Sequence, residues 1–320
     1  MTGREKFLTA LDGGRPVGRV PHFELVFYLT MEAFGRVHPT HRHFGQWDQM
    51  SEAERDLHRR DIADLYIQTG RRFEHAAIHF LPPAGWPADR SEEVRCCERI
   101  RQASGEEFAL LLPGDATYSI PNGRDMMEFS AWLIEKPGEV KDKAQRMVDG
   151  ALAQARKLRP AGVVDGFCMC SDYCFNDNPF FPPAMFAEYV TPYLTQLIAG
   201  YREMGFYAVK HTDGNIMPIL DQLVSARPHA LHSLDPQGGV DIAEVKRRVG
   251  KQVCLIGNVS CAMLDTGTDE EVVASARYAL QHGMPGGGYV FATSNCVYTG
   301  MKLRRYELML DVWRREGNYD

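Results

Sequence analysis

The chain has 320 residues, of which 44% are hydrophobic and 24% charged, with a formal net charge of -6. That composition can bury a large core and is not that of a disordered chain, and the negative balance argues against a nucleic-acid or anionic-membrane partner. No apolar run reaches the roughly 18 residues needed to span a bilayer, and the opening Met1-Thr-Gly-Arg-Glu-Lys lacks a signal-peptide apolar core.

The expectation is therefore a soluble, cytoplasmic protein. Eight cysteines, at 96, 97, 168, 170, 174, 254, 261 and 296, are read as reduced thiols rather than a disulfide framework.

In chain order, runs of strand character fall at 20–25, 63–68, 76–81, 107–112, 163–169, 206–211, 229–234, 252–257 and 288–293. Amphipathic stretches alternate with the later runs. In Asp241-Ile-Ala-Glu-Val-Lys-Arg-Arg-Val, the apolar Ile242, Val245 and Val249 share a helical face behind an Asp241 cap. Thr268 and Glu271 form a capping-box pair at the start of another helix. The alternation predicts an α/β fold, a single (β/α)8 TIM barrel domain over residues 1–320 with an N-terminal helical or irregular extension. No Gly-x-Gly-x-x-Gly follows the first strand, which disfavours a dinucleotide-binding sheet. Segment 26–62 fits the barrel pattern poorly and is expected as an insertion at its mouth, with His38, His41 and His43 on a solvated loop.

Chemistry in such folds sits where strands end. The predicted strand ends carry Glu24, Asp115 with Thr117 and Tyr118, the stretch from Cys168 to Asp172, His211 with Asp213, Asp235, Asn258, and Asn295 with Cys296. His211 and Asp213 are two apart and share a face if the pleat persists. Asp213 then either ligates a metal beside His211 or orients its ring; alternatively, Asp-Gly-Asn is only a turn. Brought together, a His, an Asp and a Cys would make a zinc or acid/base site. Cys168-Met-Cys170-Ser-Asp172-Tyr-Cys174 matches no common zinc spacing and reads as packing. Gly286-Gly-Gly lacks the Lys-Ser/Thr of a phosphate cradle.

Several segments together resemble the uroporphyrinogen decarboxylase superfamily. They are Arg4-Glu-Lys-Phe-Leu-Thr-Ala-Leu with Arg19-Val-Pro, Phe180-Phe-Pro-Pro-Ala-Met-Phe, Lys210-His-Thr-Asp-Gly-Asn-Ile, Gly239-Val-Asp-Ile-Ala-Glu-Val-Lys, Leu255-Ile-Gly-Asn-Val and Gly287-Gly-Tyr-Val-Phe-Ala. The resemblance implies a (β/α)8 barrel and one of two chemistries. True decarboxylases work without a cofactor on a tetrapyrrole, with an arginine-rich opening motif and an Asp in a Phe-Ser-Asp-Ile-Leu-like segment. Here that region reads Arg60-Asp-Ile-Ala-Asp-Leu-Tyr and the arginine motif is missing.

The other branch comprises corrinoid-dependent methyltransferases, whose thiol-methylating members bind zinc through His-x-Cys and a distant Cys. In this chain His211 and Cys296 fall at the first and last of those places, and Asp213 replaces the nearer Cys. The exchange implies a harder site, suited to polarising an ether oxygen. The resemblance thus implies a methyltransferase moving a methyl group between a small O-methyl substrate and a corrinoid carried by a partner protein, assisted by zinc on His211, Asp213 and Cys296. Asp172, Asp213 and Glu24 are the expected catalytic residues, and Asn258, Asn295 and Asp235 the cofactor-binding ones; a homodimer is also implied. The alternatives are a cofactor-free decarboxylase of a porphyrinogen-like polycarboxylate, using Asp172 or Asp213, and a non-catalytic tetrapyrrole- or corrinoid-binding module.

Overall fold

The computed structural model describes residues 1–319. Seven parallel strands form one sheet in sequence order: β1 (Ala77–His79), β2 (Ala109–Pro113), β3 (Gly166–Cys170), β4 (Tyr207–Thr212), β5 (Ala230–Ser233), β6 (Cys254–Val259) and β7 (Tyr289–Thr293). Parallel neighbours need crossovers, and each connection carries a helix, among them Ser91–Ser104, Pro137–Leu158, Thr191–Glu203, Ile242–Val249 and Asp269–Gly283. The sheet curls so far that one residue, His22, bridges in parallel to His75 beside β1 and to Phe291 in β7. Its backbone carbonyl accepts from Ala76 N at 2.7 Å, while Phe23 N and Pro21 O pair with Phe291. Segment 20–25 thus meets both edges of the sheet, although its pairing consists of isolated bridges rather than a continuous ladder.

Strand alternation sorts two apolar layers. Small and medium residues line the concave side: Ala77, Ala109, Leu111, Cys168, Val209, Ala230, Cys254, Ile256, Val290 and Ala292, with Phe23 and Leu25. Larger ones, including Phe167, Met169, Leu231, Leu255, Tyr289 and Phe291, face the outer helices. The helix Gly3–Leu11, capped by a reciprocal Thr2–Glu5 capping box, buries Phe7, Ala10 and Leu11 and packs against β1, β2 and β7.

One expected strand is corrected. Residues 63–68 lie inside the helix Glu52–Arg72, which starts at a Ser51 cap and buries Ile62, Leu65, Tyr66 and Thr69 along one face. That i, i+3, i+4, i+7 spacing belongs to a helix and is invisible in a six-residue window. The neighbouring segment holds the short helix Thr30–Phe34 and two single-turn 3-10 helices. It is not solvated throughout: Phe44 and Trp47 are buried, and so is His38, contrary to the solvated-loop expectation, while His41 and His43 are exposed. His38 Nδ1 sits 2.8 Å from Thr40 Oγ1, and burial pushes its pKa down to about 3. Among the described residues, no helix is long and apolar enough to cross a membrane.

Candidate active site

β4 places Tyr207, Val209 and His211 on the concave side and Lys210 on the outer one. The outward Lys210 is fully buried and makes a 2.7 Å ion pair with Asp115, beyond the end of β2. Its ammonium also donates to the carbonyls of Met169 and Ser171 and lies 4.1 Å from the centre of the Tyr173 ring. Asp115 further accepts from Thr117 Oγ1 at 2.6 Å and from Ser171 N at 3.0 Å. Burial pushes its carboxyl up, but Lys210 and the Thr117 hydrogen bonds outweigh this and hold it below the ordinary carboxylate range. This buried staple ties together the ends of β2, β3 and β4, directly behind the residues that carry chemistry.

Asp172 follows β3 in a loop fixed from both sides. Its carbonyl accepts from Ile120 N at 2.8 Å, and the next amide, Tyr173 N, donates to Thr212 Oγ1 at 3.0 Å. Asp213 follows β4 and donates its amide to Asp172 Oδ1 at 3.1 Å. The turn after it requires Gly214, whose φ is +74° and where a Cβ would sit 2.5 Å from the carbonyl oxygens of Cys174 and Phe175. The turn reading of Asp-Gly-Asn and the functional one therefore hold together: the turn aims the Asp213 carboxyl back at His211.

These loops converge. His211 Nε2 is 3.7 Å from Asp172 Oδ1 and 3.7 Å from Asp213 Oδ1. Ligand atoms of Asp172, His211 and Asp213 all lie within 4.8 Å of one another, and among the described residues this is the one such group. Asp213 is gripped by both oxygens, Oδ1 lying 2.6 Å from Ser233 Oγ and Oδ2 accepting from the Asn295 amide. Burial first, then the charges of Asp172 and Asp235, push its pKa up to about 7 against the opposing Ser233 hydrogen bond. The His211 ring is buried, and that burial outweighs the pull of Asp172 to bring its pKa down to about 4. It is therefore neutral near pH 7, as a metal ligand or proton acceptor must be.

The other expected site residues divide. Asn295 reaches the group through Asp213. Asp235 stays close enough to act on Asp213, but one of its oxygens caps its own loop by accepting from Gln237 N at 2.9 Å. Asn258 donates to Leu234 O at 2.9 Å and serves that loop. Glu24 is enclosed away from the group, accepting from Thr293 Oγ1 at 2.5 Å and lying 3.1 Å from His22 Nε2. Cys296 is half-buried against the concave layer and remains outside the three-residue group, so the structure puts Asp172 beside His211 and Asp213 where the sequence suggested Cys296. Burial, then the neighbouring Cys261 and Asp213, push the Cys296 thiol up, away from the thiolate a metal prefers.

Sequence reasoning did not single out Ser233, His232 or His79. The strand parity was a usable signal, because His232 stands two residues beyond the concave Ala230 and pairs in register with His211.

An N,O,O donor set of this kind suits zinc or a harder divalent cation. The 3.7 Å separations are too long for hydrogen bonds, yet short enough for a shared ion about 2.0–2.2 Å from each ligand atom.

Comparison with known proteins supplies the family. The model described as "Uroporphyrinogen decarboxylase (URO-D)" matches residues 114–316. A uroporphyrinogen decarboxylase from Thioalkalivibrio sulfidiphilus (strain HL-EbGR7) is 33% identical over 78 residues, a stretch spanning 24% of this chain and 22% of that relative. Among solved structures, a methyltransferase from Methanosarcina mazei superposes with a TM-score of 0.75 at 17% identity, covering 98% of this chain and 99% of the other. At that identity the likeness is one of fold. With its family match reaching across both flanks of the Asp172–His211–Asp213 group, the chain belongs to the uroporphyrinogen decarboxylase family.

Proposed function

We propose that this protein is a methyltransferase of the family, moving a methyl group between a small O-methyl substrate and a corrinoid held by a partner protein, with zinc at Asp172, His211 and Asp213. The observation that carries this reading is the convergence of those three side chains at the ends of β3 and β4. The (β/α)8 reading belongs to the same proposal, with segment 20–25 acting as the strand that joins β7 to β1.

The donor set fits the ion. His211 presents Nε2, and Ser233 and Asn295 orient the Asp213 carboxyl so that its Oδ1 faces that nitrogen. Zinc, when bound, supplies Lewis acidity toward the substrate's ether oxygen. With zinc held by Asp172, His211 and Asp213, the Asp213 carboxyl would be ionised, and the Ser233 hydroxyl would donate to it and keep it in place. The Lys210–Asp115 staple holds the two loops against recoil.

Charge favours this reading over decarboxylation. Asp172, Asp213 and Asp235 crowd the site, and the buried cation beside it, Lys210, is committed to Asp115. A polycarboxylate would meet repulsion there, whereas a neutral ether would not. The decarboxylase reading retains the support of the family description and of the 78-residue relative. It predicts carbon dioxide release without metal.

The test is metal content of the full-length protein, wild type beside His211→Ala, followed by methyl-transfer assays with O-methyl donors and a corrinoid-protein acceptor. About one zinc per chain, lost in His211→Ala, together with methylation of the corrinoid, supports the proposal. Carbon dioxide release from a porphyrinogen by zinc-free protein overturns it.

A further inference from the structure

The helix Met126–Glu135, between β2 and β3, is mostly apolar in sequence yet buries Leu133 alone. Its half-buried Phe129 also turns inward, the ring lying 5.3 Å from that of Tyr118 and 6.1 Å from that of Phe180. Those contacts hold the helix against the loops that follow β2 and β3. On the opposite side Met127, Ala131 and Ile134 form an i, i+4, i+7 stripe. Met127 is 85% exposed and Ile134 77%, the two highest values for large apolar side chains among the described residues. A single exposed apolar residue needs no explanation, but the two most exposed sharing one helix face do.

The charges beside the stripe lack partners of their own. A groove of about 450 Å3 along one flank is lined by Glu128, Ala131, Trp132, Glu135, Lys136 and Lys143. Its lysines are engaged: Lys136 pairs with Glu139 at 3.2 Å, and the Lys143 ammonium lies 5.1 Å from the centre of the Trp132 ring. Glu128 and Glu135 make no ion pair among the described residues, and neither does Arg124, just ahead of the helix. At 3.6 residues per turn Arg124 and Glu135 stand over the same flank, about three turns apart.

A two-fold axis beside Ala131, perpendicular to the helix, lays the stripe antiparallel on that of a second copy. Met127 then meets Ile134 of the second copy, and Ile134 meets its Met127. The small Ala131 at the centre lets the two backbones approach. The same rotation keeps each flank on its own side and reverses its direction. It therefore carries Arg124 to the groove of the second copy, opposite Glu135 and near Trp132, and it does so twice. An acidic groove and an unpaired arginine set at the spacing that this rotation requires make the surface complementary to itself. A different partner would have no need of that match.

We propose that this face is an isologous interface, at which two copies of the chain pair through the helix Met126–Glu135 and seat Arg124 in each other's groove. A contact built on one helix about 15 Å long is small for a stable pair, so the dimer is expected to come apart on dilution. The pairing stands independently of the metal and methyl-transfer reading.

Sedimentation velocity of the full-length protein over a dilution series tests this. Wild type should pass from dimer to monomer. Ala131→Glu puts a good helix former at an exposed position but sets two like charges against each other at the axis, and should weaken the dimer about 100-fold. Arg124→Glu and Glu135→Arg should each weaken it about tenfold, and together restore it to within about threefold of wild type, with the signs of the pair exchanged. Arg124, Ala131 and Glu135 are all exposed, so each variant should keep the wild-type melting profile. Wild type that is monomeric at every concentration overturns the inference. So does a dimer that Ala131→Glu leaves unchanged, because it pairs through another face. A double variant no tighter than either single one overturns the Arg124–Glu135 match and the two-fold arrangement with it.

Discussion

Ser233 Oγ lies 2.6 Å from Asp213 Oδ1 and 2.6 Å from the carbonyl oxygen of Ser294. The hydroxyl has one proton for these two acceptors. When it points to Ser294, Asp213 must bring its own proton to Oδ1, and the Asn295 amide already donates to Oδ2. The hydrogen-bond pattern thus accommodates a protonated Asp213 without loss, in agreement with the burial that raises its pKa to about 7.

A pH dependence follows from that shift. In the unfolded chain the group titrates near its ordinary value of 3.8, and in the folded one at about 7. Between those values the native state holds a proton that the unfolded state has released, so stability falls as pH rises through this window and levels off above about 7. Asp213→Asn imitates the protonated form, its amide donating to Ser233 and its oxygen accepting from Asn295, and removes the titration. Metal-free wild type should therefore lose stability relative to Asp213→Asn as pH goes from 4 to 7, measured by thermal melts with a chelator present. A difference that stays constant across that range contradicts the assignment.

Metal retention separates the two candidate ligand sets. Cys296 lies outside the group formed by Asp172, His211 and Asp213, and its thiol is pushed up by burial. Cys296→Ala should keep its zinc stoichiometry, whereas Asp172→Asn and His211→Ala should each lose it when dialysed against a weak chelator. Loss of zinc in Cys296→Ala at unchanged stability would restore the thiol to the ligand set.

The strands were legible because their apolar runs are short and most of them run into polar residues; β4 and β7 begin within one residue of the expected runs and end within one. The His211–Asp213 pairing was legible because it depends on two-residue alternation within one strand. That Asp172, rather than Cys296, stands beside His211 and Asp213 was not, since it depends on how the loop after β3 is tied down by Ile120 and Thr212, both distant in sequence. His232 escaped for the same reason: its meaning comes from register with β4, not from its neighbours. Helix Glu52–Arg72 misled because Ala63 to Gln68 taken alone is apolar enough for a strand.

Lys210 offers a test of the scaffold behind the site. Its side chain is fully buried and that of Asp115 nearly so. Lys210→Met leaves Asp115 charged, buried and short of its counter-ion, and removing one partner of a buried pair costs about 3–5 kcal/mol. Urea unfolding should show a loss of that size, and Asp115→Asn added to Lys210→Met should recover part of it by removing the stranded charge. Equal stability in the single and double variants would mean that Asp115 finds another partner.

Glu24, expected among the catalytic residues, sits in a hydrogen-bond network of its own at the end of β7. It is 3% exposed, accepts from the Thr293 hydroxyl at 2.5 Å and the Thr293 amide at 3.3 Å, and lies beside His22, the residue that bridges both sheet edges. These contacts bind segment 20–25 to the end of β7 and engage both carboxylate oxygens there. Glu24→Gln replaces the charged acceptor of the Thr293 hydroxyl and amide with a neutral one, and hydrogen bonds to charged groups are worth about 1 kcal/mol more than neutral ones. The variant should melt earlier, by urea and by heat, while holding zinc and methyl-transfer kcat within about threefold of wild type. A stable Glu24→Gln protein with kcat reduced a hundredfold would return Glu24 to the chemistry and show that the Thr293 contacts give way when substrate binds.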